Sequence, residues 1–203
     1  MKVFKIETER LIIRCFKVED AILLKRSVDE SLEHLRPWMP WAKFEPETLQ
    51  QKVERVKRWI NDYNTGKDFT FAIFNKEETE IIGCTGLHTR IGPQGREIGY
   101  WINAWHVNKG YAKETVKALI KIGFELENLE RIEIRCDPEN GNSVKIPLRL
   151  GFTHETTLAV DPHNKEGDFT KTMVWSLTKE QYRKSNLLQI ELKAFDAAGN
   201  LLA

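Results

Sequence analysis

The most constraining feature of this sequence is a run of three strand-like segments with no helix between them. FTFAIFN (69–75) and EIIGCTGLHTR (80–90) are separated by a polar turn, the pattern of a hairpin. REIGYWINA (96–104) follows the turn IGPQG (91–95). A helix is predicted over 109–127, where Val116, Leu119, Ile120 and Phe124 share one face. RIEIRCD (131–137) then alternates Ile132, Ile134 and Cys136 as a strand does. The step from 96–104 through the helix to 131–137 predicts a right-handed parallel crossover. Antiparallel strands joined to such a unit require a mixed sheet with helices packed on it.

The flanking segments extend this pattern. RLIIRCF (10–16) reads as a first strand, and 20–30 as a short amphipathic helix carrying Ala21, Leu23, Leu24 and Val28. HLRPWMPWAKF fits neither period, because Pro37 and Pro40 break helix and ladder alike, yet its Trp38, Trp41 and Phe44 imply order. Leu49, Val53, Val56 and Ile60 recur at helical spacing within 47–64. A short helix over 142–150 and strands near 152–160 and 169–177 follow, with a turn around 161–164. Beyond 178, TKEQYRKSN reads as a helix and QIELKAF alternates like a strand. The expected fold is mixed α/β, with a mostly antiparallel twisted sheet flanked by about four helices. Residues 1–178 form its single domain, and 179–203 an extension that completes the sheet or makes a dimer contact.

Composition narrows the function classes. Lys and Arg number 31 against 30 Asp and Glu, which argues against a dedicated nucleic-acid binder. No apolar run approaches the ~18 residues of a membrane helix, and charges interrupt the N-terminus before any signal-peptide stretch. Cys15, Cys84 and Cys136 are far apart and form no CxxC pair, so neither a zinc site nor a disulfide framework is indicated. A cytoplasmic protein, monomer or homodimer, without metal is expected.

The segment 96–115 is the richest in chemistry. A strand ends, Gly110 and Ala112 follow, and a helix begins. Helix N-termini expose unpaired N–H groups at a positive dipole end, suited to an anion. The small side chains of Gly110 and Ala112 leave room for a pyrophosphate. An ordinary strand-to-helix turn is the competing reading. Neither a P-loop nor the GxGxxG spacing is present.

EIGYWI, KGYAKE, DPEN-x-x-S and LRLGF, in this order, resemble the GNAT superfamily of N-acetyltransferases. ETERLIIRCF, RPWMPW and IIGCTGLH resemble in particular its ribosomal-protein N-terminal acetyltransferase branch, the RimJ/RimL type. The resemblance covers roughly 6–178 and implies a GNAT-like sheet with acetyl-CoA as donor. The family's phosphate loop, Arg/Gln-x-x-Gly-x-Gly/Ala, falls on Val107, Asn108, Lys109, Gly110, Tyr111 and Ala112. Val107 departs from Arg or Gln, and Asn108 stands where this branch commonly has Gly. Backbone N–H groups would still hold the pyrophosphate. The pantetheine arm would pair with the backbone of Tyr100, Trp101 and Ile102. Asn140 would contact that arm, and Ser143 would lie near the thioester sulfur.

The resemblance also implies catalytic roles. Amides near Tyr100 would polarise the thioester carbonyl, Glu97 would relay the amine's proton through water, and Ser143 or water would protonate the thiolate. Strict alternation places Glu97, Gly99 and Trp101 on one face and Ile98, Tyr100 and Ile102 on the other, unless a bulge intervenes. Asp168 is a second carboxylate candidate; His88 and His163 are weaker ones, since a lone histidine is more often structural. Trp38 and Trp41 lie where the family places its acceptor-site lid, and with Phe44, Tyr100 and Trp101 could wall an acceptor cleft. Core packing is the plain alternative for each, as turn-capping is for Asn140 and Ser143 and a solvent carboxylate for Glu97. Arg36 reads as a surface arginine that could orient an acidic acceptor. Lys113, Lys117 and Lys121 read as a solvated stripe, with Lys113 in reach of a CoA phosphate.

An α-amine with pKa ~8 is about one-tenth neutral at pH 7, a cost of ~1.4 kcal/mol, whereas a lysine with pKa ~10.4 costs ~4.6 kcal/mol. A site with one carboxylate and water suits the first. The expected acceptor is a protein N-terminus, with a small amine (polyamine, antibiotic or amino sugar) as the alternative. A CoA-binding sensor without catalysis is a further alternative.

Overall fold

The computed structural model describes residues 1–159 and 171–203. Strands are β1 (Lys5–Glu7), β2 (Ile12–Cys15), β3 (Thr70–Phe74), β4 (Ile81–His88), β5 (Gly95–Ile102), β6 (Arg131–Cys136), β7 (Thr153–Leu158), β8 (Thr172–Thr178) and β9 (Lys193–Phe195). Helices are α1 (Ala21–Asp29), α2 (Leu32–Leu35), α3 (Leu49–Asn64), α4 (Tyr111–Lys121), α5 (Gly141–Arg149) and α6 (Lys179–Arg183). A π-helical turn, Ile122–Leu126, prolongs α4. The strands form one mixed sheet in the order β7-β8-β6-β5-β4-β3-β2-β1-β9. Only β5–β6 is parallel among the described pairs.

Both faces of the sheet are covered, and alternation along the strands sorts side chains between them. Ile13, Phe71, Leu87 and Ile98 join Val116 and Leu119 of α4 in one apolar core. Ile12, Ala72, Phe74, Cys84 and Trp101 join Leu24 and Val28 of α1 and Val56 of α3 in the other. Thr48 and Gln51 close a capping box at the start of α3, which fixes the entry of that helix. All three cysteines are buried and unpaired.

The predicted elements are present, with informative additions. Lys5–Glu7 forms a strand that pairs with Ile12–Arg14; three residues are too short to show a period. The Pro-rich segment contains α2 and a 3-10 turn over Pro40–Phe44, with Pro40 at the turn's first position, where its missing N–H costs nothing. The extension adds β9 to the sheet edge beside β1, and Leu187 and Ala194 enter the core. Lys121 is not freely solvated, because its Nζ donates to the Ile190 carbonyl at 2.9 Å. Asp168, His163 and the turn at 161–164 lie outside the described residues.

Candidate functional site: a split sheet beside a helix start

The site begins where two parallel strands part. β5 and β6 pair at Gly95–Arg131, Arg96–Ile132 and Glu97–Glu133, and the pairing ends there. Beyond it β5 stays in register with β4 as far as Ile102, with no bulge. Asn103 N–H donates to the Ile82 carbonyl at 2.7 Å. By antiparallel alternation the amides of Gly99 and Trp101 also face β4. Those of Ile98, Tyr100 and Ile102 therefore face the gap that β6 has left. An extended ligand could pair there as a strand would.

The segment 107–112, expected to hold the pyrophosphate, lies just beyond the end of the same strand. Gly110 caps α4 in the left-handed region, with φ +83°. The first helical bond is Glu114 N–H to Gly110 O, 3.0 Å, so the amides of Tyr111, Ala112 and Lys113 have no helical partner. Asn108 also has positive φ, +61°, and Asn is among the few non-glycine residues that enter that region readily; its place in a Gly-type position is thereby accounted for. Val107 turns toward the apolar core instead of presenting a cation. A cation comes from elsewhere: Arg10 Nη1 donates to the Lys109 carbonyl at 2.9 Å, and its guanidinium stacks on Tyr111. Glu114 fixes Arg10 through its Nε at 2.7 Å and also accepts from Thr8 Oγ1 at 2.6 Å. Short-range spacing gave no signal of this clamp, whose parts are about a hundred residues apart.

At the far side of the gap, Tyr100 reaches α5. Its Oη lies 3.0 Å from Ser143 Oγ and donates to the Ser143 carbonyl at 3.4 Å. Pro147 accounts for that second bond: it lacks the N–H that would otherwise bond the carbonyl four residues earlier. Burial pushes the Tyr100 phenol up. Burial likewise raises the Cys136 thiol to about 11, opposed by hydrogen bonding with Ser143 and Trp175. Asn140 Oδ1 accepts from Ser143 N–H at 3.1 Å, so the capping role expected of it is present.

These groups open onto a cleft of about 590 Å³, within the usual range for small-molecule sites. Trp38, Trp41, Trp59 and Trp101 line it, with the Trp41 and Trp101 centroids 6.0 Å apart. Trp59, carried by α3, was not among the residues expected at the cleft. Phe44 is not part of this wall: it is 66% exposed. Arg36 is exposed and pairs with Glu33, the plain surface role. The segment 45–47, which leads into α3, is held by Lys52, fully buried between Glu45 and Glu47.

Glu97 is 6% exposed and faces the cleft with Gly99 and Trp101, as alternation predicts. Its Oε1 accepts from Arg90 at 2.8 Å, and Arg135 Nε lies 3.6 Å from Oε2. Oε2 is buried with no hydrogen-bond partner among the described residues. Its neighbour Glu133 is bound by Arg131 and Arg135. His88 is not alone: its Nδ1 meets Asp68 Oδ2 at 2.8 Å. Burial works against the Asp68 charge, but bonds from His88 and from the amides of Phe69 and Thr89 prevail and lower its pKa. No group of His, Cys, Asp and Glu suited to a metal occurs among the described residues.

The Acetyltransferase (GNAT) domain matches residues 10–153. The uncharacterized N-acetyltransferase p20 of Bacillus licheniformis is 34% identical over 179 residues, 86% of this chain and 96% of the relative. The ribosomal protein uS5-alanine N-acetyltransferase of Escherichia coli (strain K12) is 27% identical, over 74% of this chain and 79% of that one. A GNAT-family acetyltransferase structure from Bacillus anthracis superposes with a TM-score of 0.69 at 26% identity, covering 87% of this chain and 99% of its own. RimL, the ribosomal L7/L12 α-N-protein acetyltransferase in complex with coenzyme A, has the same fold, with a TM-score of 0.75 at 19% identity over 86% and 97% of the two chains. With a split sheet, a glycine-started helix and a family match over most of its length, the chain belongs to the GNAT acetyltransferases, and it is an N-acetyltransferase of RimJ/RimL-like type.

Proposed function

We propose that this protein moves an acetyl group from acetyl-CoA directly to a primary amine, and that the amine is a protein N-terminal α-amine of the ribosomal-protein type. The observation that carries this reading is the gap beside β5, continuous with the free amides at the start of α4. Residues 107–112 would hold the pyrophosphate, with Arg10 closing the loop. The pantetheine arm would pair along Tyr100, Trp101 and Ile102 and pass Asn140. Amides facing the gap would stabilise the carbonyl oxygen as it gains charge. The amine enters between Trp38 and Trp41, its ammonium drawn to Glu97, whose Oε2 has no hydrogen-bond partner among the described residues. The Tyr100–Ser143 pair then protonates the departing thiolate, a modest task because a free thiol has pKa ~8.5. The relatives named for ribosomal-protein acetylation support the acceptor class.

Thiol release from acetyl-CoA tests the reading, with peptides bearing free N-termini set against spermidine, an aminoglycoside and an amino sugar. Turnover confined to the peptides is the expected result. Turnover confined to a small amine would replace the acceptor and leave the donor assignment intact.

A further inference from the structure

We propose that His88, oriented by Asp68, is the base that takes the acceptor's proton, and that Glu97 anchors the ammonium rather than deprotonating it. This rests on the acetyl-transfer reading above. His88 and Glu97 are direct cross-strand partners on the cleft face of β4 and β5. The Nε2 edge of the imidazole sits over two glycines. A Cβ on Gly86 would stand 2.7 Å from Nε2, and one on Gly99 would stand 3.0 Å from it. Any side chain at either position would displace the ring, so both glycines act as a seat for it. Gly99 is flanked by Ile98 and Tyr100, whose amides face the gap. The seat thus puts Nε2 beside the groups that would polarise the thioester. Asp68 occupies Nδ1, and Thr89 N–H donates to the other Asp68 oxygen at 3.2 Å. Neutral His88 then carries its proton on Nδ1, bonded to the carboxylate, which leaves Nε2 as a lone-pair acceptor. Nε2 has no protein partner among the described residues and is not sealed from the cleft.

Glu97 has the opposite character. Arg90 and Arg135 flank it: Arg90 Nη1 bonds its Oε1 at 2.8 Å and Arg135 Nε lies 3.6 Å from Oε2, which suits a fixed anchor more than a mobile proton carrier. Of the other charges lining the cleft, Lys52 pairs with Glu45 and Glu47, Arg55 with Glu47, and Asp137 Oδ1 accepts from the Glu139 amide at 2.7 Å. Asp68, bonded to the ring, and Glu97, directly across from it, are the carboxylates placed against His88.

The step balances. The bound ammonium gives one proton to Nε2, directly or through one water, and His88 returns it to solvent. The freed lone pair forms the N–C bond. The C–S bond breaks with its electrons on sulfur, and the second amine proton ends on the thiolate as CoA-SH.

The test measures kcat and KM against pH for the full chain, with acetyl-CoA and an alanine-initiated peptide or spermidine. His88→Gln should lower kcat by about 100-fold or more, remove the acidic limb of the profile, and leave CoA affinity within twofold. Imidazole added to His88→Gly should restore part of the rate. Asp68→Asn should slow transfer less and move the limb, an independent check should the His88 variants fold poorly. Glu97→Gln should chiefly raise the KM for the amine. A His88→Gln rate within threefold of the unmodified protein, with its limb intact, would overturn the assignment. So would loss of that limb in Glu97→Gln alone. Absence of turnover in the unmodified protein with every amine would instead overturn the acetyl-transfer reading itself.

Discussion

The hydroxyl of Tyr100 lies 3.0 Å from the hydroxyl of Ser143, across the gap where β5 and β6 separate. Pro147 leaves the Ser143 carbonyl without its helical donor, and Tyr100 supplies one. Strand and helix are therefore joined through a pair that can pass a proton to sulfur. Tyr100→Phe removes both hydrogen bonds to Ser143. A hydrogen bond of about 1–1.5 kcal/mol realised in the transition state corresponds to roughly a tenfold loss of kcat. CoA affinity should change little, because in the proposed binding mode the arm pairs with backbone rather than with this hydroxyl. A tenfold loss of CoA affinity at unchanged kcat would show that the tyrosine serves binding alone.

Arg10 should matter for the donor's phosphates and for nothing further along. It bonds the Lys109 carbonyl within the phosphate loop and is fixed by Glu114. Losing one charge-assisted contact of about 1.5–3 kcal/mol predicts that Arg10→Ala weakens acetyl-CoA binding roughly tenfold or more. Transfer from acetyl-pantetheine, which lacks the pyrophosphate, should be nearly unaffected. Equal losses with both donors would show a general collapse of the site.

Transfer should proceed without an acetylated cysteine. Burial holds the Cys136 thiol near 11 and raises Cys84 too, so neither is a ready nucleophile at neutral pH. Cys136→Ala should keep at least a third of the activity, and intact-mass measurement during turnover should find no added acetyl group. A trapped acetyl-enzyme would refute direct attack by the amine.

The acid side of the stability curve should report on Glu47. Arg55 is the main cause that lowers its carboxyl to about 2; burial opposes this and Lys52 adds to it. Its folded pKa lies below the ordinary 4.5. The protein then holds fewer protons here than the unfolded chain, so this stabilisation is present above about pH 4.5 and fades as pH falls toward 2. Arg55→Met should lower the melting temperature at pH 7 and flatten its decline between pH 4.5 and 2. An unchanged slope in thermal melts would remove Glu47 from the acid transition.

Much of this architecture was legible because its signals are periodic. Strand alternation put Glu97, Gly99 and Trp101 on one face, and β5 keeps that order without a bulge. Helical spacing found α3 and α4. What escaped was assembled from distant residues. His88 looks solitary until Asp68, twenty residues earlier, is seen beside its ring. Arg10 brings a cation to the 107–112 segment across about a hundred residues, and no local rule connects them. Pro147, costly within a helix by local propensity, acquires its use only when Tyr100 reaches the carbonyl it frees.

Thiol release from acetyl-CoA in the presence of a peptide with a free N-terminal alanine or serine tests the central claim most directly. Steady turnover that requires the free amine, with the acetyl group on the peptide's α-nitrogen by mass spectrometry, is the result predicted here. No thiol release with any peptide, polyamine or amino sugar, from protein that binds acetyl-CoA, would contradict it.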